Sequence, residues 1–357
     1  MAFLKVFLLL ISLLLLPGCD SSRSVSGQIT RYHVDAQDNL TGLTVLTDEG
    51  QTMTFVPTED EEHLIVFWLG ADTLPEIKEK FPNEVLVHVR YSGKQTTLTD
   101  PDGTTHSAYL ADSVMDTAHL TTRNAFTFPD GVSADLWEEN FTRSHYALSD
   151  GTVLLRIDGN GPENVYVGGT ESFNDLTPAA QEKVLAFYEE QGLLYDEITH
   201  LLRAYSFYQN DPDNFQALLV GQDISPCFSN ENIVSFSTAV TEPISPGYID
   251  ELRLCHTFDR KTGEQISNYD LFTVPPEELL QLLLDHAGYE NWENAPSIEE
   301  MQAALRPEYI RLSQNHISIT FPKGSLPSQE HGYGFGLSIF GQRWDALQEW
   351  AQPLPRE

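Results

Sequence analysis

The segment CHTFDRKTGEQISNYDLF, Cys255 to Phe272, decides how the second half of this chain is read. A thiol beside an imidazole, with an aspartate three residues on, has the outline of an active site. The pattern around it gives a different answer. Leu252, Leu254, His256 and Phe258 alternate with Arg253, Cys255 and Thr257, the two-residue period of a strand. Neighbours in a strand point to opposite faces, so Cys255 and His256 cannot form a thiolate–imidazole pair. Asp259 to Gly263 reads as a turn, with aspartate bonding the backbone and glycine free to take a positive φ. Asp270 is expected to cap the downstream segment. The segment is a strand leading into a turn.

Phe215–Ile224, Ile233–Val240 and Glu251–Phe258 read as three consecutive strands, the last of them running into this turn. Before them, His145–Leu148 and Thr152–Ile157 flank Asp150-Gly151 as a hairpin. Thr177 is the expected N-cap of a helix with Pro178 at its first position. Leu194, Ile198, Leu201, Leu202 and Tyr205 recur at helical spacing and predict a core-facing stripe. After the three strands come a Leu-rich helix beyond Pro275-Pro276 and a capping box at Ser297–Glu300. Strands at Ile317–Phe321 and Gly336–Phe340 close the pattern. Residues 142–350 are expected to form an α+β domain, an antiparallel sheet with helices on one face.

The first part differs. Between Ser24 and Met115 five or six short strands are divided by turns such as Asp48-Glu49-Gly50 and Asp100-Pro-Asp-Gly103, with one short helix at Leu74–Phe81. This predicts a small β-barrel of OB-like form over 24–115. Residues 116–141 read as a polar connector.

The residues of the second domain also carry a resemblance. Asn232-Ile-Val-Ser-Phe-Ser, then Phe258-Asp-Arg-Lys-Thr-Gly263 and Asp270-Leu-Phe272 resemble an extracellular bacterial domain family. That family forms the outer part of RsiV-type lysozyme-sensing anti-sigma factors and is a separate non-catalytic domain of PdaC-type peptidoglycan deacetylases. The resemblance spans about residues 142–347 and implies a lysozyme-like muramidase or peptidoglycan as ligand. Two loops depart from the family pattern, Thr241–Asp250 and Gly324–Gly334. The ligand contacts are placed there, on Tyr248, Asp250, Glu330 and Tyr333. Polysaccharide deacetylase chemistry does not fit, because Arg260 stands where a second acidic residue is needed and no paired-histidine motif is present.

The N-terminus reads as a targeting segment. One lysine precedes an apolar run, Val6–Leu16, too short for the roughly 20 residues of a membrane span but suited to a signal peptide. Leu16-Pro-Gly-Cys19 resembles the bacterial lipobox. By that resemblance residues 1–18 are removed, Cys19 is lipidated, and 19–23 form a tether to the membrane on its extracytoplasmic side. Cys227 and Cys255 are then the pair open to a disulfide. A three-strand meander would set them two strands apart, beyond the roughly 7 Å that Cα atoms of a bridge can span.

Charge limits the partners. With 53 acidic against 20 basic residues the net charge is −33, which disfavours nucleic acid and permits a basic protein. The eleven histidines are scattered, the closest pair 13 residues apart, so no sequence-local metal motif and no cofactor is expected. No nucleophile elbow is present either. The expectation is a non-catalytic surface lipoprotein. The alternatives are a wall-modifying hydrolase using dispersed carboxylates and a structural envelope spacer.

Overall fold

A computed structural model describes residues 23–58, 73–140, 142–159, 171–272, 274–287, 295–313, 316–330 and 333–338. Cys19, the signal segment 1–18 and the apolar run Leu64–Trp68 lie outside the described residues. Among these residues no helix is long and apolar enough to cross a membrane. The chain divides into two compact units, one of residues 23–123 with 135–139, the other of 124–134 with 140 onward.

The first unit holds β1 (Arg23–Val34), β2 (Leu40–Thr47), β3 (Thr52–Pro57), α1 (Leu74–Lys80), β4 (Val85–Thr99) and most of β5 (Thr105–Thr127). Antiparallel pairs join β1 to β2, β2 to β3, β1 to β4 and β4 to β5, and a parallel pair joins β3 to β5. Among these five strands each has two partners, and the pairings return on themselves in the order β1-β2-β3-β5-β4. The alternation of the sequence fills the interior with Leu43, Val45, Phe55, Val87 and Val89, with Ile77 of α1 joining them. Glu76 caps α1 by accepting from Thr73 N–H at 3.1 Å.

Residues 116–140 are not a loose connector. They form the far half of β5 and β6 (Ser133–Asn140), joined by a turn with Gly131 at φ +89°. Residues 121–124 of β5 are exposed in succession, so the strand there carries no alternating apolar signal for a sequence reading to find.

The second unit begins with β7 (Arg143–Leu148) and β8 (Val153–Asp158), then α2 (Pro178–Gln191) and α3 (Glu197–Asn210). Next come β9 (Leu218–Ser229), β10 (Ile233–Ser245), β11 (Tyr248–Asp259) and the short β12 (Gln265–Ile266). After a 3-10 turn at Asn268–Leu271 come α4 (Pro276–Ala287), α5 (Ile298–Ala304), β13 (Ile310–Ser313), β14 (His316–Phe321) and β15 (Tyr333–Ser338). β8 and β9 pair in parallel, with α2 and α3 in the crossover, and β9 to β12 continue antiparallel. β13, β14 and β15 form a separate antiparallel sheet. The architecture is α+β.

Two cores hold this unit together. Ala180, Val184 and Tyr188 of α2 pack on Ile224, Val234, Phe236 and Phe258. Leu279, Leu280, Leu283 and Leu284 of α4 pack with Met301 on Ile310, Leu312, Ile317, Ile319 and Phe321 of the small sheet. α3 departs from the expected stripe: Leu201 and Tyr205 are buried, with His200 and Ala204, but Ile198 and Leu202 are exposed. Its buried face is rotated so that Tyr205 stacks on Phe128, ring centroids 3.8 Å apart, and donates to Asp130 at 2.9 Å.

The Asp259–Gly263 turn ties these layers together. Asp259 Oδ1 accepts from the N–H of Lys261 and Thr262 at 2.9 and 2.8 Å. Thr177 caps α2 by accepting from Ala180 N–H and donates its own hydroxyl to Lys261 O at 3.0 Å. Gly263 has φ +71°, and a Cβ there would stand 2.8 Å from both Cα and O of Ala180. Arg260 donates to Ser229 Oγ and Asn230 O on the β9–β10 turn. Asp270 does not cap; Ser267 does, accepting from Tyr269 N–H.

Gly263 and Gly324 share nearly the same φ, but nothing lies within 4 Å of a Cβ at Gly324. Gly324→Ala is expected to cost about 1 kcal/mol, the left-handed penalty alone. Gly263→Ala adds overpacking against α2 and is expected to cost about 3 kcal/mol in urea unfolding. Equal losses would show that the contact with α2 carries no weight.

Candidate functional site

The Cys255-His256 segment is scaffold. His256 lies among rings, 4.8 Å from Phe187 and 6.0 Å from Tyr188, centroid to centroid. Its Nδ1 has no hydrogen-bond partner among the described residues. Cys255 lies on the other face, its carbonyl accepting from Asn268 Nδ2 at 2.8 Å. The same Asn268 amide donates to Ile310 O at 2.8 Å, so one buried side chain ties β11 to β13.

The cysteines correct the expected geometry. Cys227 Sγ is 3.6 Å from Cys255 Sγ although β10 lies between their strands. A register shift opposite Ser235 and Phe236 leaves Cys227 without a ladder partner, and such a bulge re-aims the side chain. Both thiols are free, since 3.6 Å far exceeds the roughly 2.05 Å of an S–S bond. The hydrogen bond to Cys227, together with burial, pushes the Cys255 thiol up.

The expected contact residues fall on two loops. Tyr248 and Asp250 belong to the hairpin of β10 and β11, turned by Pro246-Gly247 with Gly247 at φ +78°, the conformation a type II turn needs at its third residue. Tyr248 is 70% exposed and Ile249 53%. The hairpin is clamped from below, for Arg203 of α3 donates to the carbonyls of Pro243 and Ile244. Asp250 stands opposite Glu242, so the apolar tip sits on an acidic stem. Ile249 belongs to no motif; its place beside Tyr248 at a Pro-Gly turn is the signal the sequence offers for it.

Glu330 is exposed in the segment after β14, and Tyr333 opens β15 opposite Phe321. His200 of α3 lies beside the stem of the hairpin. Its Nε2 lies 3.9 Å from Glu242. Burial holds its pKa below the ordinary value, with Arg203 and Lys323 adding to the effect and Glu242 opposing it.

A cleft of about 300 Å³ in the second unit is lined by Asp158, Asp223 and Glu251, with Thr142, Gln222 and Thr241. Burial and the charge of Asp158 raise the pKa of Asp223, and Arg253 lowers it. In the first unit His33, Asp100 and His106 converge. The sequence concealed this group, since His33 and Asp100 are 67 residues apart. Only Asp100 and His106, six apart across the β4–β5 turn, offered a local hint.

No family model matches the chain, and no curated protein matches it. Solved structures similar to it include the following two. One is a DUF3298 family member from Bacteroides fragilis NCTC 9343, with 12% identity and TM-score 0.29, covering 65% of this chain and 90% of that one. The other is a DUF3298 family protein from Pseudomonas aeruginosa PAO1, with 13% identity and TM-score 0.30, covering 56% of this chain and 85% of that one. At these scores the likeness carries no argument about function.

Burial pushes the pKa of His256 down to about 4, against about 6.5 in an unfolded chain. Between those values the unfolded state binds a proton that the fold refuses, so stability is complete above about pH 6.5 and falls toward pH 4. His256→Phe is expected to remove roughly 3 kcal/mol of that loss, read as the difference between the two chains in urea unfolding at pH 7 and pH 4. An identical pH dependence in both would show that His256 is accessible to protons in the fold.

Proposed function

We propose that this chain is a lipid-anchored extracytoplasmic binding protein, held at the membrane through Cys19, whose second unit takes a basic protein of the lysozyme class. The observation that carries the reading is the β10–β11 hairpin tip. Two large apolar side chains, Tyr248 and Ile249, are exposed in succession, one on each face of the hairpin, next to a turn whose backbone Arg203 fixes. Anchors of this kind on a rigid support bind without a large ordering cost. The carboxylates of Glu242, Asp250 and Glu251 flank them, and a net charge of −33 steers a cationic partner toward the surface. Glu330 and Tyr333 on the second loop extend the contact. The resemblance of the Phe258–Gly263 and Asp270–Phe272 motifs to the lysozyme-sensing family favours this ligand over other basic proteins.

The test is binding of the chain to a basic lysozyme by calorimetry across salt. Saturable binding that persists at ~0.15 M salt, and weakens at least tenfold in Tyr248→Ala, is the expected result. Binding that disappears with salt is charge attraction alone and would contradict the proposal. Peptidoglycan fragments tested in parallel decide whether the wall is the ligand instead.

One observation favours a second reading, a wall-modifying hydrolase. The cleft places Asp223, whose pKa burial raises, beside the carboxyl groups of Asp158 and Glu251, a grouping that acid–base hydrolysis can use. Release of soluble fragments from purified wall, lost in Asp223→Asn, would support it. An absence of release from the wild-type chain removes it.

A further inference from the structure

The first unit holds a group of side chains with a chemistry that neither reading uses. His33 comes from the end of β1, Asp100 from the β4–β5 turn and His106 from the start of β5. Their donor atoms all lie within 4.8 Å of one another. His33 Nδ1 is 2.8 Å from Asp100 Oδ1, and His106 Nε2 is 2.9 Å from Asp100 Oδ2. We propose that these three residues bind a divalent transition-metal ion of the zinc class.

The donor set is the first reason. Two imidazoles and one carboxylate suit zinc, cobalt or nickel, whereas calcium and magnesium prefer all-oxygen shells. Bonds of about 2.0–2.2 Å in a tetrahedral shell set donors about 3.3 Å apart. The two His–Asp spacings, 2.8 and 2.9 Å, need to open by a few tenths of an ångström, and the remaining spacings, all within 4.8 Å, close around the ion. Three protein donors leave a coordination position for water.

The support around the donors is the second. His33 Nε2 is 2.8 Å from Thr44 Oγ1, and that hydroxyl is 3.0 Å from Thr54 Oγ1. In the present arrangement His33 Nδ1–H donates to Asp100; with a metal ion at Nδ1 the ring proton moves to Nε2 and is donated to Thr44, the arrangement that orients a ligating histidine. Asp100 is held by its own turn, its N–H donating to Thr104 O at 2.8 Å and its carbonyl accepting from Gly103 at 2.9 Å. The side chains of His33 and Asp100 are 0% and 6% exposed, while His106 at 23% leaves a way in from solvent.

Arg31 is the competitor. Its Nη2 lies 2.8 Å from Asp100 Oδ2, but the side chain is half exposed and can turn into water. The metal ion and the guanidinium are alternative counter-charges for one carboxylate. Metal affinity is therefore set partly by a residue that is not a ligand.

The experiment is a cobalt titration of the full chain, purified in detergent, monitored by visible absorption. Cobalt in a tetrahedral nitrogen–oxygen site gives an intense ligand-field band, whereas cobalt on surface carboxylates is octahedral and pale. The expected result is a band saturating at one equivalent and displaced by zinc. His106→Ala is expected to lower the affinity at least tenfold, and Arg31→Gln to raise it several-fold. The Arg31 variant keeps all three ligands and so decides the matter even if His106→Ala unfolds. The absence of a saturating band, a band that survives His106→Ala in a folded chain, or unchanged affinity in Arg31→Gln would each overturn the assignment.

Discussion

The architecture of the second unit depends on how closely the turn after β11 approaches the first turn of α2. Gly263 stands so near Ala180 that no side chain fits between them. Around that contact Asp259 closes the turn, Thr177 links it to the helix cap, and Arg260 reaches the β9–β10 turn. Phe258, one residue upstream of Asp259, enters the core that α2 covers. The motif that looks catalytic is thus a clamp. Its polar groups are engaged with backbone, and its aromatic residue is buried. Chemistry needs groups free to change partners; these are not.

That clamp leaves the far end of the same hairpin free for another task. β10 and β11 run together for their full length, buried where Cys255 to Phe258 lie and exposed where Tyr248 and Ile249 lie. Burial at one end fixes the register, and register fixes which residues reach the tip. Arg203 holds the backbone just below the turn, so the exposed apolar pair is presented rather than loose. A strongly negative surface around it adds long-range attraction for a cation without adding shape. Recognition would then come from the tip and speed from the charge.

Much of this is legible in local sequence. Period-two alternation marks β11, Asp-Gly pairs mark the hairpin turns, and Thr177-Pro178 marks the start of α2. The features that escape a sequence reading do so for physical reasons. The far half of β5 is exposed on successive residues, so it lacks the alternation that reveals a strand. The apolar stripe on α3 lies a partial turn away from the face that is buried, because Tyr205 answers to Phe128 and Asp130 on a distant hairpin. A bulge in β9 brings Cys227 to Cys255 against the spacing of a regular meander. His33 meets Asp100 only because the strands of the first unit return on themselves. Of the proposed contact residues, Tyr248 and Asp250 stand out in the sequence because their loop departs from the pattern of the family that the chain resembles. Their support by Arg203 does not, since it depends on a helix some 40 residues away.

Hydrogen exchange of the chain alone and with a basic lysozyme, read peptide by peptide, tests the central claim most directly. If the turn after β11 is a clamp and the hairpin tip is the contact, amides of 255–264 exchange slowly with or without lysozyme. Those of 243–250 gain protection only in its presence. Fast exchange at 255–264 in the free chain, or protection appearing there and not at the tip, would contradict the account.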